Sequence, residues 1–70
     1  MEILAERLLK LRKDRKLSRK DVAQATKMAE RTYQRYENAE REPDATALLA
    51  LADYFGVTTD YLLGRTDEEM

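Results

Sequence analysis

Seventy residues bound the chain to one domain with a small core, in which every apolar face must be used. Apolar residues at 43% against charged residues at 39% suit a compact helical domain rather than a disordered chain. Cysteine and histidine are both absent, which excludes disulfides, Cys/His zinc sites and histidine-based catalysis, and the formal net charge is only −1.

Leu4, Leu8 and Leu11 recur at helical spacing and predict a first helix over about residues 2–15, with Leu9 packing beside the stripe and Leu17 just beyond its end. Ser18 followed three residues later by Asp21 is a capping-box-like start, with Asp in place of the usual Glu. It opens a second helix over about 19–26 that buries Val22 and Ala23. The helical pattern breaks at 27–29 and restarts in a third helix, about 30–37, burying Tyr33 and Tyr36. Residues 38–43 read as a loop, because Pro43 disfavours a helical Glu42. Asp44 can cap a fourth helix, about 45–55, with Leu48, Leu51, Ala52 and Phe55 as its stripe and Gly56 in the left-handed position that ends it. Thr58 can cap a short fifth helix, about 59–63, stopped by Gly64. Residues 66–70 form a polar tail expected to fray. No strand periodicity, repeat or linker is visible. The expectation is a single all-α domain of five helices over 1–70, with its core in about 4–65.

The charge is sorted along the chain. Residues 1–20 hold eight Lys/Arg against three Asp/Glu, residues 21–44 four against six, and residues 45–70 one against five. Such polarity suits a domain with one anion-facing end, although solvated helix faces produce it too. No apolar run approaches the length of a membrane span, and the early charges Glu2 and Glu6 are unlike a signal peptide, so a cytoplasmic location is expected.

Two short helices joined by a three-residue turn have the layout of a helix-turn-helix. Such a pair needs a small residue where its helices touch, which Ala23 supplies. Its second helix must pack by one face and leave the other free. With Tyr33 and Tyr36 on the packing face, Glu30, Arg31, Gln34 and Arg35 fall on the outer face and Thr32 at its edge. A helix fits the DNA major groove, and Arg is the commonest side chain to read guanine there, by two hydrogen bonds. Backbone N–H groups near Ser18 and Arg19 can hold a phosphate at the helix start.

The segments "LRKDRKLSRKDVAQAT", "RYEN", "EPDATALLALADYFGV" and "DYLLGR", in this order and spacing, resemble the Cro and lambda-repressor-like helix-turn-helix family, also called the xenobiotic-response-element family. The resemblance spans about 4–65. It implies a five-helix domain that reads operator DNA with its third helix and regulates transcription, with repression the favoured sense. It also implies a nucleoid-associated regulator and a weak or DNA-assembled homodimer on an inverted-repeat operator. By position, the resemblance makes Glu30, Arg31 and Arg35 the main base readers, with Thr32 and Gln34 secondary. Arg19 joins them at the operator edge, reaching base or phosphate. Ser18, Lys20 and Asn38 are the phosphate contacts. Arg12 and Glu37 match an internal ion pair between the first and third helices. Val57, Tyr61 and Leu62 are core residues or part of a dimer contact near the fifth helix. Glu30 can read cytosine or simply favour the helix N-terminus. No cofactor, metal, small-molecule effector or membrane partner is implied.

Three positions depart from the family pattern. Lys27 stands where Gly is usual in the turn, Ala29 where Ser or Thr caps the third helix, and Ala39 where Gly commonly follows "EN". A left-handed lysine costs about 1 kcal/mol, and a lost cap costs about the same. The acids Glu30, Glu40 and Glu42 repel phosphate and favour weak or selective binding over strong non-specific binding. Two other classes stand beside a DNA reader. One is an interaction module of the same fold, an antitoxin or adaptor, which an acidic or apolar recognition face would favour. The other is an enzyme, for which no catalytic constellation is visible.

Overall fold

The computed structural model describes residues 1–70 as five α-helices without a strand: α1 Glu2–Asp14, α2 Arg19–Ala25, α3 Glu30–Glu37, α4 Ala45–Phe55 and α5 Thr59–Leu62. The starts of three helices follow from side chains. Ser18 Oγ accepts from the Asp21 N–H at 3.0 Å while Asp21 Oδ2 accepts from the Ser18 N–H at 2.9 Å, a complete capping box. Asp44 Oδ1 accepts from the Ala47 N–H at 2.9 Å, and Thr58 Oγ1 from the Tyr61 N–H at 3.0 Å. Ala29 precedes α3 in extended conformation and caps nothing.

The helix ends share one device. Each helix is closed by a residue with positive φ, whose N–H bonds three residues back while the next N–H bonds five residues back. This pair of bonds satisfies carbonyls that the helix leaves open. The left-handed residues are Lys16, Lys27, Ala39, Gly56 and Gly64. Only two are glycine, so three stops carry the left-handed penalty of about 1 kcal/mol each. Lys27 and Ala39 behave as their sequence positions implied; Lys16 carried no such sign. Residues 15, 26 and 63, expected as the last turns of their helices, are instead the caps preceding these stops. Gly64 is needed for a second reason. A Cβ there would lie 2.9 Å from Cγ1 of Ile3, whereas one on Gly56 would meet open space.

The core is one cluster. Leu4, Leu8 and Leu11 of α1 meet Val22 and Ala23 of α2, Tyr33 and Tyr36 of α3, and Leu51, Ala52 and Phe55 of α4. Val57, Tyr61 and Leu62 complete it, with Leu17 and Leu48 packed against its edge. Helix α1 packs on α3 and α5, α2 packs on α3, and α4 on α5. This arrangement holds α3 by one face and leaves its other face outward. Val57, Tyr61 and Leu62, read above as core residues or part of a dimer contact, lie in the core. Leu62 is wholly buried, and Val57 and Tyr61 nearly so, because all three fill the protomer's own core. Leu49 of α4 is the helix-borne leucine left mostly exposed, at 56%.

The C-terminal tail touches the body of the domain: the Thr58 N–H donates to the Glu69 carbonyl at 2.9 Å. Arg7 of α1 donates to the carbonyls of Tyr61 and Thr66 and reaches Asp67 Oδ1 at 2.9 Å. No helix is long and apolar enough to cross a membrane.

Candidate nucleic-acid interface

The outer face of α3 is built by subtraction. Tyr33 and Tyr36 turn inward, and the side chains one step around the helix are left outside. Glu30, Arg31, Gln34 and Arg35 then line one open concavity with Asn38 and Glu40, and no hydrophobic residue takes part. Thr32 is half-buried at the edge, as expected. Arg31 and Arg35 make no ion pair or side-chain hydrogen bond within the chain, nor do Gln34 and Asn38. Four donor-bearing side chains are therefore free to meet a ligand. The two arginines lie one turn apart, about 6 Å along the axis. That is close to the rise of two base pairs at roughly 3.4 Å each.

Formal charges in the concavity balance, with two arginines against Glu30 and Glu40. Glu42 is elsewhere: its carboxylate lies 3.1 Å from the Met1 amino group, both exposed.

Beneath this face lies an ion cluster. The Glu37 side chain is 1% exposed, and Arg12 grips it at both oxygens, Nε to Oε2 at 2.6 Å and Nη2 to Oε1 at 3.1 Å. Arg12 Nη1 donates to the Leu17 carbonyl at 2.9 Å, so the arginine also ties down the chain between α1 and α2. The expected pair is therefore present, and it is larger than a pair. Arg19 Nε donates to Glu37 Oε1 at 3.2 Å. Burial by itself pushes the Glu37 carboxyl up, but the hydrogen bonds from Arg12, the nearby Tyr33 hydroxyl and the hydrogen bond from Arg19 outweigh it and hold the group below the ordinary carboxylate range. The hydrogen bond to Glu37 raises Arg12 correspondingly. The Tyr33 hydroxyl is buried beside Glu37 and Arg12. Burial, then Glu37, pushes its pKa well up. It meets no partner in normal hydrogen-bond geometry, so its link to Glu37 is electrostatic proximity rather than a formed bond.

The start of α2 is less open than its sequence suggests. The Ser18 N–H is taken by Asp21, so that group is not free for a phosphate. Ser18 Oγ already accepts from Asp21 and retains only its own proton to donate. Lys20 is exposed with no partner, and Asn38 is exposed at the end of α3. Sequence reading missed two relations. The Arg19–Glu37 contact joins residues 18 apart with no shared pattern. Arg7 binds mainly backbone carbonyls, which no side-chain motif announces.

A helix-turn-helix family matches residues 8–62. Among proteins of Bacillus subtilis (strain 168), the chain is 41% identical over 64 residues to the HTH-type transcriptional regulator AnsR, covering 91% of this chain and 55% of that protein. It is 36% identical over 63 residues to the uncharacterized HTH-type transcriptional regulator YobD, covering 90% and 56%. It is 33% identical over 64 residues to the HTH-type transcriptional regulator ImmR, covering 91% and 50%. The chain thus spans about half the length of these relatives. No solved structure matches it significantly.

Proposed function

Because the chain belongs to the helix-turn-helix family, we propose that it binds duplex DNA in a sequence-specific way through α3 and regulates transcription, acting as a repressor at the nucleoid. The observation that carries this reading is the uncommitted outer face of α3, where Arg31 and Arg35 stand one turn apart with Gln34 between them and no partner inside the chain. Arg31 and Arg35 are the guanine readers, Gln34 and Thr32 assist, and Glu30 selects against phosphate-only contact. Lys20, Asn38 and Ser18 Oγ face the backbone. A wholly polar concavity suits a groove full of donors and acceptors better than a protein partner, whose interface needs an apolar centre. The charge balance in the concavity keeps non-specific attraction low, so specificity rests on base contacts.

One short recognition helix offers few base contacts, and a two-fold dimer doubles them. The operator is then an inverted repeat with half-site centres about 10–10.5 base pairs, roughly 34–36 Å, apart. Leu49 is the apolar side chain on a helix that remains available to a second copy. One exposed leucine supports only weak association, so DNA assembles the dimer.

Selection of duplexes from a random-sequence pool tests the reading. An enriched inverted repeat is expected, with Arg31→Ala and Arg35→Ala each losing about 1–3 kcal/mol and relaxing preference at one base pair. A pool without enrichment, or both variants binding the selected site as tightly as the parent, would overturn it. Two protomers per saturated duplex supports the dimer; one protomer on a site without symmetry rejects it.

A further inference from the structure

We propose that Tyr33 is a positioning residue whose buried hydroxyl is a reserve hydrogen-bond donor for Glu37, taking over when DNA draws Arg19 away. The proposal rests on the DNA-binding reading and adds to it a residue that touches no DNA. Tyr33 is 0% exposed, and its hydroxyl is the buried side-chain polar atom of the chain left without a hydrogen-bond partner. A buried donor without a partner is costly, and phenylalanine would fill the same space without that cost. Tyr33 and Glu37 lie four residues apart on α3, so their side chains share one side of the helix. The hydroxyl therefore waits beside a carboxylate whose two oxygens already hold three N–H donors, Arg12 Nε and Nη2 and Arg19 Nε. Burial, then Glu37, pushes the hydroxyl's pKa up, so it keeps its proton and remains a donor.

The two arginines differ in how easily they leave. Arg12 is fixed: it holds both Glu37 oxygens, its third nitrogen donates to the Leu17 carbonyl, and its side chain is 12% exposed. Arg19 is held by Nε alone, at 3.2 Å the longest of the three contacts, and its side chain is 40% exposed. Arg19 is thus the donor that can swing outward, and it leaves behind a buried oxygen with one donor fewer. A buried carboxylate is penalised for each donor it loses, which by itself would hold Arg19 in the cluster. A small turn of the Glu37 carboxylate lets the Tyr33 hydroxyl supply the missing bond. Glu37 then accepts as many hydrogen bonds after the exchange as before it. The group left unpaired in the free protein is satisfied at the moment the cluster gives up Arg19. The hydroxyl therefore lowers the cost of recruiting Arg19, and it does so from inside the core.

The test compares the parent, Tyr33→Phe, Arg19→Ala and the double variant. Each is titrated with the duplex selected from the random pool and unfolded in urea without DNA. Tyr33→Phe is expected to keep or raise the urea midpoint, because it removes an unpartnered group, yet to bind the duplex about fivefold more weakly. In the Arg19→Ala background the two effects should change places. There the hydroxyl has already moved to Glu37, so Tyr33→Phe lowers the midpoint and leaves affinity unchanged. The NMR signal of the Tyr33 ring carbon that bears the hydroxyl should shift on duplex addition in the parent and stay still in Arg19→Ala. A hydroxyl with a purely structural role would lower the parent's midpoint and spare its affinity, and that result overturns the reserve donor. So does a ring-carbon signal that stays still in the parent. A loss of affinity as large in the Arg19→Ala background overturns the exchange, as does an Arg19→Ala variant that binds as tightly as the parent. A parent that enriches no duplex defeats the DNA-binding reading itself, an outcome distinct from all of these.

Discussion

Arg7 and Arg12 stand five residues apart on α1 with side chains 14% and 12% exposed, yet they are held in different ways. Arg12 faces a buried carboxylate, so each charge is tolerable only because of the other. Arg7 lies 4.3 Å over the Tyr61 ring and donates to two carbonyl oxygens, and its one anionic contact, Asp67, is 99% exposed. Dipoles and a ring face hold a cation without needing it, and their loss strands no charge. The end of α1 near α2 and α3 is therefore built on mutual dependence. The end near α5 is built on replaceable contacts.

Removing each arginine breaks this comparison most directly. Arg12→Ala leaves Glu37 buried with Arg19 alone, and stranding a buried charge costs roughly 3–5 kcal/mol. The remaining partner puts the expected loss near the low end, about 3 kcal/mol, a large share of what a domain this size holds. A urea midpoint equal to that of the parent would show that the cluster contributes nothing. Arg7→Ala is expected to lose less, about 2 kcal/mol, from hydrogen bonds to a charged group and the ring contact. It should also speed hydrogen exchange at the Thr58 amide, whose acceptor lies in the tail. Asp67→Asn should change the midpoint by only a few tenths of a kcal/mol, because an exposed pair is screened. An Asp67→Asn loss equal to that of Arg7→Ala would locate the energy in the ion pair instead.

Acid sharpens the same contrast. The folded Glu37 carboxyl is held below its ordinary value, so its contribution is fully present above the unfolded carboxylate range, near pH 4–5. It is lost as pH falls through the folded value. Glu37→Gln should flatten that part of the acid limb, whereas Arg7→Ala should leave its slope unchanged. Asp21, held low first by the Ser18 backbone N–H, titrates in the same direction in every variant and does not confuse the comparison. Parallel acid limbs for parent and Glu37→Gln in pH-resolved unfolding would refute the assignment.

The smallest effects lie at the helix ends, away from both arginines. Ala29→Ser should cap α3 and raise stability by about 1 kcal/mol. Lys16→Gly, Lys27→Gly and Ala39→Gly should each relieve the left-handed penalty. Each net gain is expected to be about 0.5 kcal/mol, since glycine also gives the unfolded chain more freedom. Denaturation midpoints that fall in all three glycine variants would mean the left-handed backbone carries no strain.

The helices were legible where one side chain decides a local bond. Ser18 with Asp21, Asp44 and Thr58 each satisfy backbone donors within three residues, and the leucine stripes of α1 and α4 state which faces are buried. The outer face of α3 was legible for the same reason, since two tyrosines at helical spacing leave the other directions outside. Lys16 escaped notice because a left-handed lysine looks like any other lysine in sequence. The tail escaped because its anchors, Arg7 to the Tyr61 and Thr66 carbonyls, use backbone oxygens that every residue possesses.

Local chemistry in the sequence by itself determined where the helices begin, which residues they bury and which side chains α3 presents. Tertiary structure alone decided how the buried charge is shared. Arg12, Arg19 and Arg31 are the same residue type; the resemblance pairs Arg12 with Glu37 and the tyrosine spacing puts Arg31 outside, but no pattern ties Arg19 to Glu37. Folding brings Glu37 beneath the first two and not the third. One arginine thereby becomes scaffold, one a tethered surface donor, and one free to reach outward. Electrostatic partnership depends on distance and burial in space, and those exist only once α1, α2 and α3 have packed.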